Sequence, residues 1–129
     1  IPFLFLVNLF INMRLIHPKG IAGEEKACRY LEKRRWHIIK RNWHCCFGEI
    51  DIIASKDNLL VFFEVRYPSS NASGGAAESV AHSKLEKLKK SAKFYLTTHP
   101  TEQLVRLDAL LLQGGLLQRV RHIPNISEN

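Results

Sequence analysis

Gly48-Glu49-Ile50-Asp51-Ile52-Ile53-Ala54 and Leu59-Leu60-Val61-Phe62-Phe63-Glu64-Val65-Arg66-Tyr67, joined by the polar tip Ser55-Lys56-Asp57-Asn58, decide the fold of this chain. Both runs are rich in β-branched and aromatic residues. Asp and Asn at the tip tolerate the left-handed backbone of a tight turn, so the stretch reads as a β-hairpin. With Asp57-Asn58 as the turn, Lys56 faces Leu59, and the same register sets Asp51 opposite Glu64 and Glu49 opposite Arg66. Strand alternation then puts Glu49, Asp51, Glu64 and Arg66 on one face. Three carboxylates and one cation are costly to bury in apolar strands without a compensating ion or partner. A divalent cation supplies such compensation and makes the hairpin half of a metal site. A surface ion-pair ladder is the plainer reading of the same spacing.

Working outward, His17-Pro18-Lys19-Gly20 is a breaker cluster, after which helical spacing begins. Ala27, Cys28 and Leu31 form an apolar stripe with Arg29, Glu32 and Lys33 opposite. Glu24 falls on the inner stripe, whereas Glu25 aligns with the solvated face. An acid on the inner side of a first helical turn either complements the helix dipole or points into a site. Trp36 to Trp43 reads as a strand centred on Ile38 and Ile39. Beyond the hairpin, Pro68 to Ala77 is a loop of small residues, suited to closing over a ligand or simply to crossing to the next element. Ser79 to Thr98 reads as a helix with Leu85, Leu88, Ala92, Tyr95 and Leu96 on its apolar face. Its lysines, including Lys84 and Lys87, are either a solvated face or phosphate contacts. Leu104 to Leu112 is a strongly apolar strand, Gln113-Gly114-Gly115 a turn, and Leu116 to Ile123 a last strand. The order helix, three strands, helix, two strands predicts an α/β sandwich around a mixed sheet.

The chain has 129 residues, 46% hydrophobic and 24% charged, which suits one domain of ordinary globular composition. Residues 13–123 are assigned to that domain. Pro124 to Asn129 is expected to be a polar, fraying tail. Ile1 to Asn12 is an apolar extension, shorter than the roughly 20 residues a membrane span needs, and no membrane partner is expected. It lacks the basic leader and cleavage site of a signal peptide, so Met13 is read as the natural start, with a short added strand or helix as the competing reading. Nineteen Lys and Arg against twelve acids give a net charge of +7 and a pI near 9.6. That balance favours a polyanion, most simply nucleic acid, with an anionic membrane surface or solubilising charge as rivals. Cys28, Cys45 and Cys46 are an odd set without paired spacing, which speaks against a disulfide framework and for the cytoplasm. His37 and His44 beside them do not make the two separated ligand pairs of a zinc site.

The motifs closely resemble a known family. Asp51, then Glu64-Val65-Arg66 across a hairpin, is similar to the signature of the PD-(D/E)XK nuclease superfamily. Gly23-Glu24, Tyr30-Leu31, Arg41-Asn42, Gly48 to Ala54, Phe63 to Arg66, Gly74 to Val80 and Arg106-Leu107-Asp108 together resemble the YraN-type family. These are small bacterial proteins predicted to be endonucleases and distantly similar to archaeal Holliday-junction resolvases. The resemblance runs from about Lys19 to Ile123. It implies a restriction-endonuclease-like αβββαβ core with a mixed central sheet flanked by helices. It implies Mg²⁺ or Mn²⁺ held by Asp51, Glu64 and the carbonyl of Val65, with Glu24 as a carboxylate facing the site. Arg66 takes the usual Lys position. An arginine is effectively never deprotonated, so Arg66 can orient water or bind phosphate but cannot be the general base. Glu24, the accessory acid Glu49 or a metal-bound hydroxide would then handle the proton. Pro68 departs from the pattern where relatives tend to carry a basic residue. Lys84, Lys87 and Arg41 are the candidate nucleic-acid contacts. The expected function is cleavage of branched or otherwise non-B-form DNA, with a homodimer suited to a symmetric junction. The alternatives are a non-catalytic nucleic-acid-binding module and a protein-interaction component of a repair or uptake machinery.

Overall fold

The computed structural model describes residues 18–67, 81–114 and 119–128. The expectations for Ile1 to Asn12, Met13, Pro68, the Pro68 to Ala77 loop, Ser79 and Leu116 lie outside them. Helix α1 (Pro18–Lys33) leads into strands β1 (His37–Cys45), β2 (Gly48–Lys56) and β3 (Leu59–Arg66). Helix α2 (His82–Thr98), β4 (Leu104–Gln113), β5 (Arg119–Ile123) and a 3-10 turn (Ile126–Glu128) complete the order. The sheet order is β1-β2-β3-β4-β5, with β3 and β4 parallel and every other neighbour antiparallel. This is the mixed α/β sheet of a restriction-endonuclease-like core.

The hairpin forms as the turn chemistry predicts. Lys56 pairs with Leu59, and Asp57 adopts φ 54 at the tip. Each face of the sheet is covered by one helix. Ala27, Cys28 and Leu31 of α1 bury against Ile52, Ala54, Val61, Phe63 and Val65, with Trp36 edge-on to Phe63 at 5.2 Å. On the other face Leu85, Leu88, Ala92 and Tyr95 of α2 meet Ile50, Ile53, Leu60 and Phe62. A fully buried Leu such as Leu31 contributes about 1.5–3 kcal/mol through its apolar area.

The two faces expose an irregularity. Ile52 lies in the α1-side cluster and Ile50 in the α2-side cluster. Strict alternation would put both on one side, so the strand reverses its facing at Asp51. Its partner β1 reverses in step. Asn42, at φ 50, stands between Arg41, opposite Ile52, and Trp43, opposite Ile50. Here the expected register needs correction. The β2–β3 ladder ends at Ile52↔Phe63, so Asp51 does not pair with Glu64, and Glu49 pairs with His44 of β1 rather than facing Arg66.

In the middle of β4, opposite Phe63 of β3, Asp108 is fully buried. It accepts bonds from Arg106 Nε and Nη2, both at 2.7 Å, and from the Asn125 backbone N–H at 2.9 Å. His122 Nε2 lies 2.6 Å from its other oxygen. Burial alone would push the Asp108 pKa up, but His122, Arg106 and Asn125 outweigh it and hold the carboxyl below its usual range. This clasp ties the chain end to β4 and β5, and Ile126 is 2% exposed against the α2-side core. The expectation of a frayed tail therefore fails at Asn125 and Ile126.

Candidate active site

Where β2 and β3 part, a cleft of about 380 Å³ opens between the second turn of α1 and the first turns of α2. Glu24, Gly48, Glu49, Asp51, Glu64, Val65, Tyr67, Lys84, Lys87 and Leu88 line it. Each element reaches the cleft for a local reason. The bend at Asp51 ends the β2–β3 ladder, and the Asp51 carboxylate takes over the role of backbone acceptor. Its Oδ2 receives the Val65 N–H at 2.7 Å. Glu24, on the inner stripe of α1, accepts from Asn42 Nδ2 at 2.8 Å. The left-handed residue of β1 thus positions the helix carboxylate. Lys84 Nζ lies 3.0 Å from Glu64 Oε1, bringing the first turn of α2 onto β3.

Four carboxylates and two lysines share this space, and the acids feel one another. Burial and, next, the neighbouring Glu64 charge raise the Asp51 pKa to about 7, against the lowering effect of the Val65 N–H. Tyr67 is raised by burial and then by Glu24 and Asp51. Gly23 makes room for that phenol, since an added Cβ would overlap the Tyr67 hydroxyl and come within 2.6 Å of Leu112 Cδ1.

The expected residues divide. Glu24, Glu49, Asp51, Glu64, Val65, Lys84 and Lys87 come together around the cleft. Arg66 is not among the lining residues. Nor is Arg41, which pairs with Glu25 at 2.7 Å on the outer flank of α1. Tyr67 had no role in the sequence reading, and Gly23 and Asn42 entered it only as positions of the family motif, without a role in the site. For Tyr67 the available signal was its even spacing from Val65; for Asn42 it was an Asn inside a strand, a residue that tolerates positive φ.

Among the described residues no three His, Cys, Asp or Glu side chains form a ready-made metal cage. Asp51 and Glu64 are the carboxylate pair whose chemistry fits a divalent ion such as Mg²⁺, which usually takes one or two carboxylates with water and substrate oxygens. Burial first and then Glu64 raise the Asp51 pKa, and a bound cation would oppose both. No helix among the described residues is long and apolar enough to cross a membrane.

Fold and cleft together define an α/β protein with a restriction-endonuclease-like core and an acidic, lysine-flanked site at the end of the β2–β3 hairpin. The profile of Uncharacterised protein family UPF0102 matches residues 23–112, and the chain belongs to that family, the YraN family. It is 43% identical over 104 residues to a UPF0102 protein of Neisseria gonorrhoeae, covering 80% of this chain and 90% of the relative. A Myxococcus xanthus UPF0102 protein is 40% identical over 107 residues, 81% of this chain and 85% of the relative. One from Campylobacter jejuni subsp. doylei is 38% identical over 104 residues, 81% and 91%.

Proposed function

We propose that the cleft is the active site of a Mg²⁺- or Mn²⁺-dependent DNA endonuclease acting on branched or otherwise non-B-form DNA. The observation that carries this reading is the pairing of Asp51 and Glu64 with two lysines from a facing helix in one cleft. A divalent ion bound by Asp51 and Glu64 would neutralise phosphate charge and lower the pKa of a bound water. The chain's own residues do the rest. Lys84 and Lys87 hold the phosphate of the scissile strand. The Val65 N–H fixes the Asp51 carboxylate, so a ligand oxygen is oriented before substrate arrives. Glu24 and Glu49 are the carboxylates able to accept a proton from the attacking water. Arg66 stands outside the cleft lining, and an arginine does not serve as a general base, so it is assigned no proton transfer.

The test incubates the purified protein with single-stranded, duplex, flap and four-way-junction DNA in Mg²⁺ and in Mn²⁺. Cleavage abolished by Asp51→Asn and by Glu64→Gln is expected. No cleavage of any substrate, together with no metal binding by titration calorimetry, overturns the reading. Salt-sensitive DNA binding that survives both substitutions without cleavage would assign the fold to a binding module instead.

A further inference from the structure

A second concavity, about 390 Å³, lies on the other side of α1, against edge strand β5. Lys26, Arg29, Tyr30, Lys33 and Arg34 line it, with Val120 as its apolar floor. Helical geometry separates it from the cleft. At 100° per residue Lys26, Arg29 and Lys33 project about 140–200° away from Glu24, the α1 residue that faces the acidic site. The helix is also sorted by sign. Glu25, held by Arg41, lies on the β1 flank, while the β5 flank carries four cations and no lining carboxylate among the described residues. Four like charges share the groove. The nearest acids of α1, Glu25 and Glu32, stand at i−4 and i+3 from Arg29 and are not among its lining residues, so Lys26, Lys33 and Arg34 carry the excess positive charge.

We infer that this groove binds the phosphate backbone of nucleic acid outside the scissile segment. Lys26, Arg29 and Lys33 form one stripe. From Lys26 to Lys33 the helix rises roughly 10 Å, matching about three phosphates of a strand at 3.4 Å each. Arg34 stacks over the Tyr30 ring at 3.6 Å and donates to the Tyr30 carbonyl at 3.2 Å, which holds its guanidinium flat at the groove edge. A membrane surface fits less well. Interfacial binding needs apolar side chains to insert, and among the described residues the exposed large hydrophobics Ile39, Phe47, Tyr67, Phe94, Leu104 and Val105 all lie outside the groove. The inference stands apart from the metal chemistry of the cleft, because it concerns binding and a different face of α1.

The experiment titrates NaCl against binding of the full chain to labelled DNA by fluorescence anisotropy, with EDTA present. It compares wild type with Lys26→Gln/Arg29→Gln/Lys33→Gln. Each lost phosphate contact lowers the log–log salt slope by about 0.9, so the triple variant should lose roughly 3 units of slope. The affinity lost between about 50 and 200 mM salt then shrinks roughly 40-fold relative to wild type. A control with equal charge loss elsewhere, Lys40→Gln/Lys90→Gln/Lys93→Gln, should change the slope by less. Equal slopes for wild type and triple variant overturn the inference, as does an equal effect of the control. Loss of binding to anionic phospholipid vesicles with DNA binding unchanged also overturns it, assigning the groove to lipid. Should wild type fail to cleave while the triple variant still loses slope, the cleft reading falls and the groove stands.

Discussion

Asp51→Asn should stabilise the metal-free protein at neutral pH and leave it unchanged in acid. In the fold, burial and Glu64 raise the Asp51 pKa from 3.8 to about 7. The folded state therefore holds a proton between roughly pH 4 and pH 7 that the unfolded chain releases, and stability falls as pH rises through that window. At about 1.36 kcal/mol for each tenfold change, a rise from 3.8 to about 7 sets a ceiling of roughly 4 kcal/mol, and partial solvent access brings the expectation to about 2–4 kcal/mol. Asn keeps the shape and still accepts the Val65 N–H through its carbonyl oxygen, so the neutral variant removes the charge and little else. Asp108 acts with the opposite sign and at lower pH. Its pKa is depressed, so its contribution is present above the unfolded value and lost as pH falls below it. Urea denaturation in EDTA from pH 4 to 8 checks the point, with the two midpoints expected to coincide at pH 4 and separate by about 1–2 M at pH 8. Mn²⁺ at roughly 100 times its Kd should then raise wild type by about 2.7 kcal/mol and leave Asp51→Asn unmoved. Parallel pH curves for the two proteins would refute the reasoning, because the carboxylate would then carry no burial penalty.

Other consequences can be checked in the same way. Arg106→Leu leaves Asp108 buried with its guanidinium partner gone and should cost about 3–5 kcal/mol at pH 7, less in strong acid where Asp108 protonates, read by urea midpoints. Ser91→Ala should be neutral or stabilising by about 1 kcal/mol, because Ser91 Oγ is buried without a hydrogen-bond partner among the described residues, and a drop in thermal midpoint would contradict this. Gly23→Ala should destabilise by about 1–3 kcal/mol, since the new methyl meets both Tyr67 and Leu112, with part of the loss recovered in a Gly23→Ala/Tyr67→Ala double variant. Lys84→Ala should reduce cleavage rate more than Arg66→Ala, because Lys84 lines the cleft and Arg66 does not; the reverse order in single-turnover assays would return Arg66 to the site.

The parts of the fold legible in sequence are those governed by local rules. Turn chemistry at Asp57-Asn58 sets the hairpin register from Lys56 to Phe63, and the 3.6-residue stripes of α1 and α2 select Ala27, Cys28, Leu31, Leu85 and Leu88 for the core. The candidate site is legible as a set of residue types, because isolated carboxylates in apolar strands stand out. Its geometry is not, because strand alternation is assumed to persist, and it breaks at Asp51 through interactions that cross three elements. Asn42 takes a left-handed φ and donates to Glu24 of α1; Trp43 and Ile50 then turn to the α2 side; and the Val65 N–H, without a ladder partner in β2, bonds Asp51. One carboxylate thus stands both as a strut closing a gap in the sheet and as a candidate ligand in the cleft. Truncation to Ala would remove both roles at once and strand a buried backbone donor, so loss of activity in Asp51→Ala would not discriminate between them. Asp51→Asn retains the strut and removes only the charge, and this separation makes it the informative substitution.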